Sequence, residues 1–373
     1  MFKNLLSITK LHWSWWIAFT LITYSFGASY RIKYPASIVE GLGYGAATAI
    51  FILISILIHE AAHAVVAISH GINVNKIRVF FFGGIAEFDR ELSDAKTEMA
   101  VAIAGPAVSL LIAGGLYLLK RDEMSDYLMR VQIFIAGINM IPVFPLDGGK
   151  VLRSLLWKFF KDYIRATKIT IKFSSILGGI FLATSGIMIL CKSIGYGIWF
   201  LFIGLLVKIT TSAYRSTIPF NIVDKKVSEL MIPKERVVSV PEDTTISDFL
   251  SRYFAIHGFH GYPVVSEAKP HELKGIVSYW YVRRLLKQAS ISSTDTVSKV
   301  MFTFSLLESN PDQPYIKDDT IIEDAYKKMI FNNFSRLIVL DGNNNYIGLI
   351  TRSALLRQDK ILSSKEGINE TEC

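Results

Sequence analysis

The sequence from Leu53 to Val66 places the pattern His-Glu-x-x-His inside an apolar run that is long enough to cross a lipid bilayer. On a helix, residues four apart lie on one face roughly 6 Å from each other, so His59 and His63 can offer two imidazoles to one zinc ion, with Glu60 beside a bound water. A charged group at the centre of a membrane costs about 2.5–3.5 kcal/mol. This cost favours a metal site within the membrane over the alternative, a chance match in a buried helix.

The composition is that of a membrane protein with a soluble part. Hydrophobic residues make up 51% of the chain and charged residues 19%, and the apolar excess lies before about Tyr214. The net charge of +8 comes from Lys and Arg beside hydrophobic spans, which predicts attachment to anionic lipid and no nucleic-acid partner. Two cysteines, Cys191 and Cys373, provide neither a disulfide framework nor a cysteine metal site.

The hydropathy pattern predicts six membrane spans, at residues 11–30, 45–69, 97–119, 127 to about 147, 171–191 and 195–214. The segment from Lys150 to Lys172 is rich in Lys and Arg, which predicts a cytoplasmic location. Six crossings then place the N-terminus and everything after Tyr214 in the cytoplasm. The sequence therefore predicts a multi-pass protein of the cell membrane.

Asp147 is the predicted third ligand of the metal. It is the only acidic residue between Asp126 and Asp162, and Pro142, Pro145, Gly148 and Gly149 around it disfavour a regular helix. Irregular backbone at membrane depth is tolerated where it lines a protein cavity. Two histidines, one aspartate and water would complete a tetrahedral catalytic site with one open position. The alternative is a turn aspartate at the membrane interface.

A short β-hairpin is predicted between Asn75 and Phe88, where β-forming residues flank a turn at Gly83 and Gly84. The edge of such a ribbon can accept an extended substrate segment as an added strand. A packing loop is the alternative, and the pattern does not decide between the two.

These residues resemble the site-2 protease family of intramembrane zinc metalloproteases over about residues 11–214. The resemblance rests on His59-Glu60-Ala61-Ala62-His63, Gly83-Gly84, Gly105-Pro106 and the segment from Asn139 to Gly149, Asn-Met-Ile-Pro-Val-Phe-Pro-Leu-Asp-Gly-Gly. It implies one zinc ion per chain, held by His59, His63 and Asp147, with Glu60 as the general base. It also implies that Asn139 helps to hold the substrate, and we assign Gly83, Gly84 and Pro142 of the same motifs to this substrate-binding surface.

The remainder of the chain contains two similar units of about seventy residues, one from Val227 to Trp280 and one from Val297 to Ser353. Both resemble cystathionine-β-synthase (CBS) domains, which commonly pair and bind adenine nucleotides. Ser278 and Thr351 are the candidate nucleotide-binding residues. The aspartate often found three residues later is replaced by Tyr281 and Ala354, so a purely structural or dimerising role is the alternative.

The sequence thus predicts a polytopic all-α membrane domain with a short β-hairpin, followed by an α/β CBS pair. The predicted boundaries are 1–214 for the protease domain, 215–289 and 290–358 for the CBS domains, and 359–373 for a disordered tail. The predicted function is cleavage within transmembrane segments of membrane proteins, such as single-span proteins or signal-peptide remnants. A catalytically silent scaffold and a CBS-gated transporter are the alternatives, and the intact Glu60 argues against the scaffold.

Overall fold

The computed structural model describes residues 9–80, 83–88, 91–92, 94–118, 123–219, 221–222, 224–267, 272–303 and 313–369. The chain divides into two compact units, Met1–Ile218 and Pro219–Cys373.

The first unit is mostly helical, with one small sheet. Its elements in chain order are β1 (Thr9–Leu11), α1 (Ser14–Lys33), α2 (Ile38–Ser69), β2 (Val74–Phe80), β3 (Gly83–Phe88), α3 (Ala95–Leu118), α4 (Glu123–Asn139), α5 (Asp147–Phe160), α6 (Tyr163–Leu190) and α7 (Ile194–Arg215).

Four helices of the described chain, α2, α3, α6 and α7, are long and apolar enough to cross a membrane. Two further predicted spans coincide with α1 and α4. Helix α4 has 17 residues, so its length of about 25 Å falls short of the roughly 30 Å hydrocarbon core of a bilayer. The count of six crossings stays a prediction.

Local capping explains why two helices begin earlier than the hydropathy pattern suggests. Helix α2 begins at Ile38 because the Ser37 hydroxyl accepts the Glu40 N–H while the Glu40 carboxylate accepts the Ser37 N–H, a complete capping box. Helix α6 begins at Tyr163 because Asp162 accepts the Arg165 N–H at 3.0 Å.

The predicted hairpin is present, and β2 and β3 pair antiparallel. The two glycines do not form its turn, as the sequence pattern suggested, because they lie in β3, where Gly83 pairs with Phe80 and Gly84 with Val79. Residues 81–82, between the two strands in the chain, lie outside the described residues. Strand β1 pairs parallel with the other edge of β2, which gives the order β1-β2-β3.

The chain between α4 and α5 is irregular, as the prolines predict. The first turn of α5 packs tightly against this segment. A Cβ on Gly148 would lie 2.4 Å from the carbonyl oxygens of Met140 and Ile141, and one on Gly149 would lie 2.6 Å from the carbonyl carbon of Val143. These two positions require glycine, and the close packing fixes the start of α5 in place.

The second unit contains two four-stranded sheets with the orders β5-β6-β7-β8 and β4-β11-β10-β9. Its elements are α8 (Val227–Leu230), β4 (Ile232–Pro233), a 3₁₀ turn (Lys234–Arg236), β5 (Val240–Pro241), α9 (Ile246–Asp248), a π-helical turn (Phe249–Phe254), α10 (Ala255–His257), β6 (Gly261–Val265), β7 (Leu273–Ser278), α11 (Tyr279–Lys287), a 3₁₀ turn (Val297–Lys299), β8 (Phe302–Thr303), β9 (Tyr315–Lys317), α12 (Ile322–Phe331), β10 (Arg336–Leu340), β11 (Tyr346–Thr351) and α13 (Arg352–Asn369).

The two repeats of this unit exchange edge strands. Strand β4 precedes the first repeat's sheet in sequence but pairs with β11 of the second sheet, and β8 follows the predicted boundary at residue 290 but pairs with β7 of the first sheet. The Val227 N–H also donates to the Thr320 carbonyl, and the Val297 N–H donates to the Thr244 carbonyl. The repeats therefore share one fold and do not separate at a single point.

The predicted disordered tail from residue 359 is corrected by the structure, in which α13 continues to Asn369. Leu355 is fully buried on this helix, and the buried carboxylate of Asp359 accepts the Asn221 N–H. These contacts stabilise the helix against fraying. Residues 370–373 lie outside the described part of the chain.

Candidate metal centre

His59 and His63 lie one turn apart on α2 and face the interior of the first unit. Both side chains are buried, each with 3% of its surface exposed, and their ring centroids are 4.9 Å apart. The i, i+4 spacing places both Nε2 atoms on one side of the helix, as the sequence predicts.

Asp147 meets these histidines from α5, of which it is the first residue. Its Oδ2 lies 3.1 Å from His59 Nε2 and 3.1 Å from His63 Nε2, and the side chain is buried. The three predicted ligands therefore come together although 84 residues separate His63 from Asp147 in the chain.

Helix α3 orients both imidazoles through their other ring nitrogens. His63 Nδ1 donates to the Val101 carbonyl at 2.6 Å, and His59 Nδ1 lies 3.0 Å from the Ser109 hydroxyl. A partner on Nδ1 fixes the tautomer and leaves the Nε2 lone pair for a metal. Neither partner could be predicted from the sequence, since a backbone carbonyl and one serine leave no pattern in it.

Gly105 leaves the space that a metal ion would need beside the histidines. A Cβ at this position would lie 2.3 Å from His63 Nε2 and 2.5 Å from His59 Nε2. Glycine at this position therefore lets α3 approach the two imidazoles closely.

The donor set fits zinc. One atom from each of His59, His63 and Asp147 lies within 4.8 Å of the others. Ligand bonds of about 2.0–2.1 Å in a tetrahedron separate neighbouring donor atoms by about 3.3 Å, close to the 3.1 Å between Asp147 Oδ2 and each Nε2. Neutral imidazole and carboxylate are ordinary zinc ligands, and three of them leave one position open for water or substrate.

Glu60 lies between this cluster and the sheet. It is buried on α2, next in sequence to His59. A Cβ on Gly84 of β3 would lie 2.2 Å from Glu60 Cγ and 2.9 Å from its Oε1. The absence of a side chain at Gly84 thus allows the strand to lie directly against the carboxylate.

The other predicted site residues are less closely tied to the cluster. The Asn139 amide donates to the Ile135 carbonyl of its own helix at 3.1 Å, and Pro142 is exposed in the irregular segment. Gly83 is part of β3. Their part in substrate binding stays a prediction. His70, the residue after α2, is exposed, and its Nδ1 lies 2.9 Å from the Val66 carbonyl.

A buried ion pair that the sequence analysis did not identify fixes the helices around the cluster. Arg153 Nε of α5 donates to Glu98 Oε1 of α3 at 2.8 Å, its Nη2 reaches the same oxygen, and its Nη1 donates to the Tyr163 hydroxyl at 3.0 Å. Its guanidinium carbon lies 5.4 Å from the ring centre of Phe144. One signal in the sequence is Glu98, an acidic residue at the start of an otherwise apolar predicted span.

The two candidate nucleotide residues occupy equivalent positions in the second unit. Ser278 ends β7 and precedes α11, and Thr351 ends β11 and precedes α13. The Thr351 hydroxyl accepts the Ala354 N–H at 3.1 Å, so it caps its helix. Arg336 of the second repeat donates from Nη1 to the Gly261 carbonyl of the first. Desolvation on burial lowers the pKa of Arg336.

Comparison with known proteins supports the predicted families of both parts of the chain. Residues 47–121 match peptidase family M50, and residues 227–288 and 307–360 match the CBS domain. Zinc metalloprotease MJ0392 of Methanocaldococcus jannaschii is 26% identical over 344 residues, which cover 90% of this chain and 91% of that protein.

Two solved structures are similar to separate parts of the chain. The site-2 protease from Methanocaldococcus jannaschii is 24% identical with a TM-score of 0.41, and the match covers 57% of this chain and 93% of that one. CBSX2 in complex with AMP is 25% identical with a TM-score of 0.31, and the match covers 37% of this chain and 98% of that one. The family matches and the full-length relative lead to one conclusion: the chain contains a peptidase family M50 (site-2 protease) domain followed by two CBS domains.

Proposed function

We propose that this protein is an intramembrane zinc metalloprotease that hydrolyses peptide bonds within or near the transmembrane segments of membrane proteins. One observation supports this most. Asp147 of α5 meets His59 and His63 of α2, a helix long enough to span a membrane, and the buried carboxylate of Glu60 lies next to His59 in the sequence. The proposed roles are ligands for the first three residues and general base for Glu60. A scaffold protein would have no need of this carboxylate.

The residues of the chain would prepare water for attack on a carbonyl. A zinc ion held by His59, His63 and Asp147 would supply a Lewis acid that acidifies a water molecule at the open position. Glu60 would accept the proton of that water and deliver it to the leaving amine, and its burial keeps bulk water from competing. Val101 and Ser109 would hold the imidazole rings in place during this transfer.

Strand β3 is the proposed dock for the substrate. Strand β1 occupies one edge of β2 and β3 occupies the other, so among the described strands of this sheet β3 has one edge without a neighbour, and Glu60 packs over the face of β3 at Gly84. An extended substrate segment can pair with such an edge through main-chain hydrogen bonds. The contact between Gly84 and Glu60 would then bring the added strand to the general base.

This docking mode requires an unwound substrate. A peptide bond inside a helix is shielded by its own hydrogen bonds and cannot reach an attack geometry. Gly, Pro or Asn near the scissile bond should therefore speed cleavage of single-span proteins or signal-peptide remnants. Asn139 and Pro142, from the irregular segment and the helix end before it, are the proposed further contacts to the unwound strand.

The proposed topology has six crossings, with the N-terminus and the CBS pair in the cytoplasm. It predicts that Cys191, which is exposed after α6, lies on the outer side of the membrane. A Cys373→Ser chain would then have one cysteine, and a membrane-impermeant maleimide should label it in intact cells. Labelling only after the membrane is opened would contradict this topology.

The CBS pair is the proposed site of regulation, by an adenine nucleotide bound near Ser278 and Thr351. A ligand there can change cleavage only through a different affinity for two arrangements of the protein. Cleavage by the full chain should be measured with ATP, ADP and AMP, together with nucleotide binding. If no nucleotide binds, the CBS pair would have a structural role or support a homodimer, which size-exclusion chromatography with light scattering would detect.

The decisive experiment uses purified protein and candidate single-span substrates, with and without a zinc chelator. Cleavage should stop with the chelator and return with added zinc. Asp147→Ala should lose zinc and activity, while Glu87→Ala, which removes a half-exposed carboxylate of β3, should keep its zinc. Normal zinc content in the Asp147 variant would require a different carboxylate in the site.

A further inference from the structure

The two carboxylate oxygens of Asp147 have different partners. Oδ2 lies 3.1 Å from both histidine Nε2 atoms, whereas Oδ1 accepts a hydrogen bond from Lys150 Nζ at 3.1 Å. Lys150 follows Asp147 by three residues on α5, so the two side chains lie on neighbouring positions of one helix face. The ammonium thus covers the oxygen that turns away from the histidines.

The Asp147 end of this ion pair is buried, and the backbone beside it is closely packed. The Asp147 side chain is 8% exposed and that of Lys150 34% exposed. Gly148 and Gly149, which lie between the two residues, pack against the backbone of the preceding irregular segment, so the first turn of α5 cannot shift freely. A charge-assisted hydrogen bond to a carboxylate is shorter and stronger than a neutral one, so the bond from Lys150 helps to fix the orientation of the Asp147 carboxylate.

The orientation of a carboxylate decides how many ligand atoms it gives a metal. With one oxygen, Asp147 completes three protein ligands and leaves a tetrahedral site with an open position. With both oxygens it would add a further ligand atom and crowd that position. A hydrogen bond to Oδ1 competes directly with metal binding through both oxygens.

We propose that Lys150 is a positioning residue that restricts Asp147 to one ligand oxygen and so keeps the open coordination position for water and substrate. This inference rests on the proposed function, because it assumes that the cluster holds a metal. Lys150 acts through Asp147 and does not itself act on the substrate.

The test compares cobalt-loaded full-length protein in detergent for four variants: wild type, Lys150→Met, Lys150→Arg and Lys158→Met. The visible absorption of Co²⁺ is strong in four-coordinate sites and weaker when more ligands bind. Lys150→Met keeps the length of the side chain without its charge, and Lys150→Arg restores a cation. Lys158→Met removes an exposed lysine from the last turn of the same helix and is the matched control.

Wild type, Lys150→Arg and Lys158→Met should show the strong spectrum, and Lys150→Met a weaker one. Loss of such an outer partner lowers metal affinity or activity by about 10–100-fold, so in Lys150→Met a chelator should remove the metal more readily and kcat should fall while KM stays the same. If Lys150→Met does not fold, Lys150→Gln gives the same readout.

An unchanged spectrum, metal affinity and kcat in Lys150→Met would overturn the role of Lys150 alone. A wild-type protein that binds neither cobalt nor zinc would instead overturn the proposed function, and this inference with it.

Discussion

The two units of the molecule bury different kinds of side chain. The core of the second unit is built from residues such as Val264, Ile338 and Leu340, and among its described residues only Ser266 and Asp359 are buried polar or charged side chains. In the first unit hydroxyls, histidines or charged groups are buried on α2, α3, α5, α6 and α7. In a membrane protein apolar side chains face lipid as well as core, so hydrophobicity does not distinguish inside from outside.

In the first unit, the hydrogen-bond partner of a buried polar group indicates whether the group serves only its own helix or belongs to the site and its support. Most buried hydroxyls bond within their own helix, as Thr48 does to the Tyr44 carbonyl and Thr167 to the Tyr163 carbonyl. These groups satisfy themselves locally. The metal cluster and the Glu98–Arg153 pair bond between helices that are distant in sequence. Long-range partners of buried charges therefore mark the site and its support.

The largest effect is expected from Glu60→Gln, which keeps the shape of the side chain but removes the proton acceptor. General-base catalysis contributes typically 10²–10⁴-fold to a rate, so cleavage should fall by about that factor while zinc content stays normal. The measurement is cleavage of a single-span substrate, with zinc counted by mass spectrometry. Full activity would show that the buried Glu60 is no catalytic base.

Glu98→Gln should produce the largest loss of stability. Arg153 would remain buried without its carboxylate, and removal of one member of a buried ion pair costs about 3–5 kcal/mol. Thermal unfolding in detergent measures this loss. Arg78→Ala breaks the half-exposed pair with Glu87, and such surface pairs contribute only about 0–1 kcal/mol. Equal effects of the two substitutions would remove the distinction between buried and exposed charges.

Gly105→Ala should weaken metal binding without unfolding the helix. Its Cβ would lie within 2.5 Å of both Nε2 atoms, whereas a Cβ on Gly114 of the same helix would meet nothing within 4 Å. Alanine also favours a helix over glycine by about 1 kcal/mol, so Gly114→Ala should be neutral or stabilising. We expect zinc affinity to fall by at least about tenfold in the first variant only, because outer-shell disturbances have effects of 10–100-fold. Chelator competition measures the zinc affinity. Equal affinities in the Gly105 and Gly114 variants would show that α3 moves to accommodate the added methyl group.

The sequence was sufficient to predict those parts of the site that depend on short local patterns. The i, i+4 spacing of His59 and His63 defines one helix face, and the prolines around Asp147 indicate the irregular backbone before α5. The role of Gly84 and Gly105 was not accessible in this way. A glycine in a sequence can mean a turn, a cap or a close approach, and only the position of Glu60 or of the imidazoles decides which.

Other features depend on partners that no local pattern specifies. Strand β1 is a three-residue segment that has strand geometry because β2 offers it an edge. The exchange of β4 and β8 between the CBS repeats likewise depends on pairing across the unit, so the repeat boundaries in the sequence do not match the strands of each sheet.

The smallest effect is expected in the second unit, at the turn between β10 and β11. Asp341 Oδ1 accepts the N–H groups of Asn343 and Asn345 at 2.8 Å each, and Oδ2 accepts the Asn345 side-chain amide at 3.0 Å. These hydrogen bonds, that of the Asn345 side chain foremost, hold the pKa of Asp341 below its ordinary value.

A folded pKa below the unfolded one stabilises the protein above the unfolded pKa, about 3.9 for aspartate, and this contribution is lost as the pH falls through the folded pKa. Asp341→Asn should therefore lower the thermal midpoint slightly at pH 7 and leave it closer to wild type near pH 3. Asp319→Asn, at an exposed position of the same unit, is the control. The exposed turn makes the shift small, because solvent screens the charge. A shift as large as that of Glu98→Gln would mean that charges in the second unit matter as much as those buried in the first.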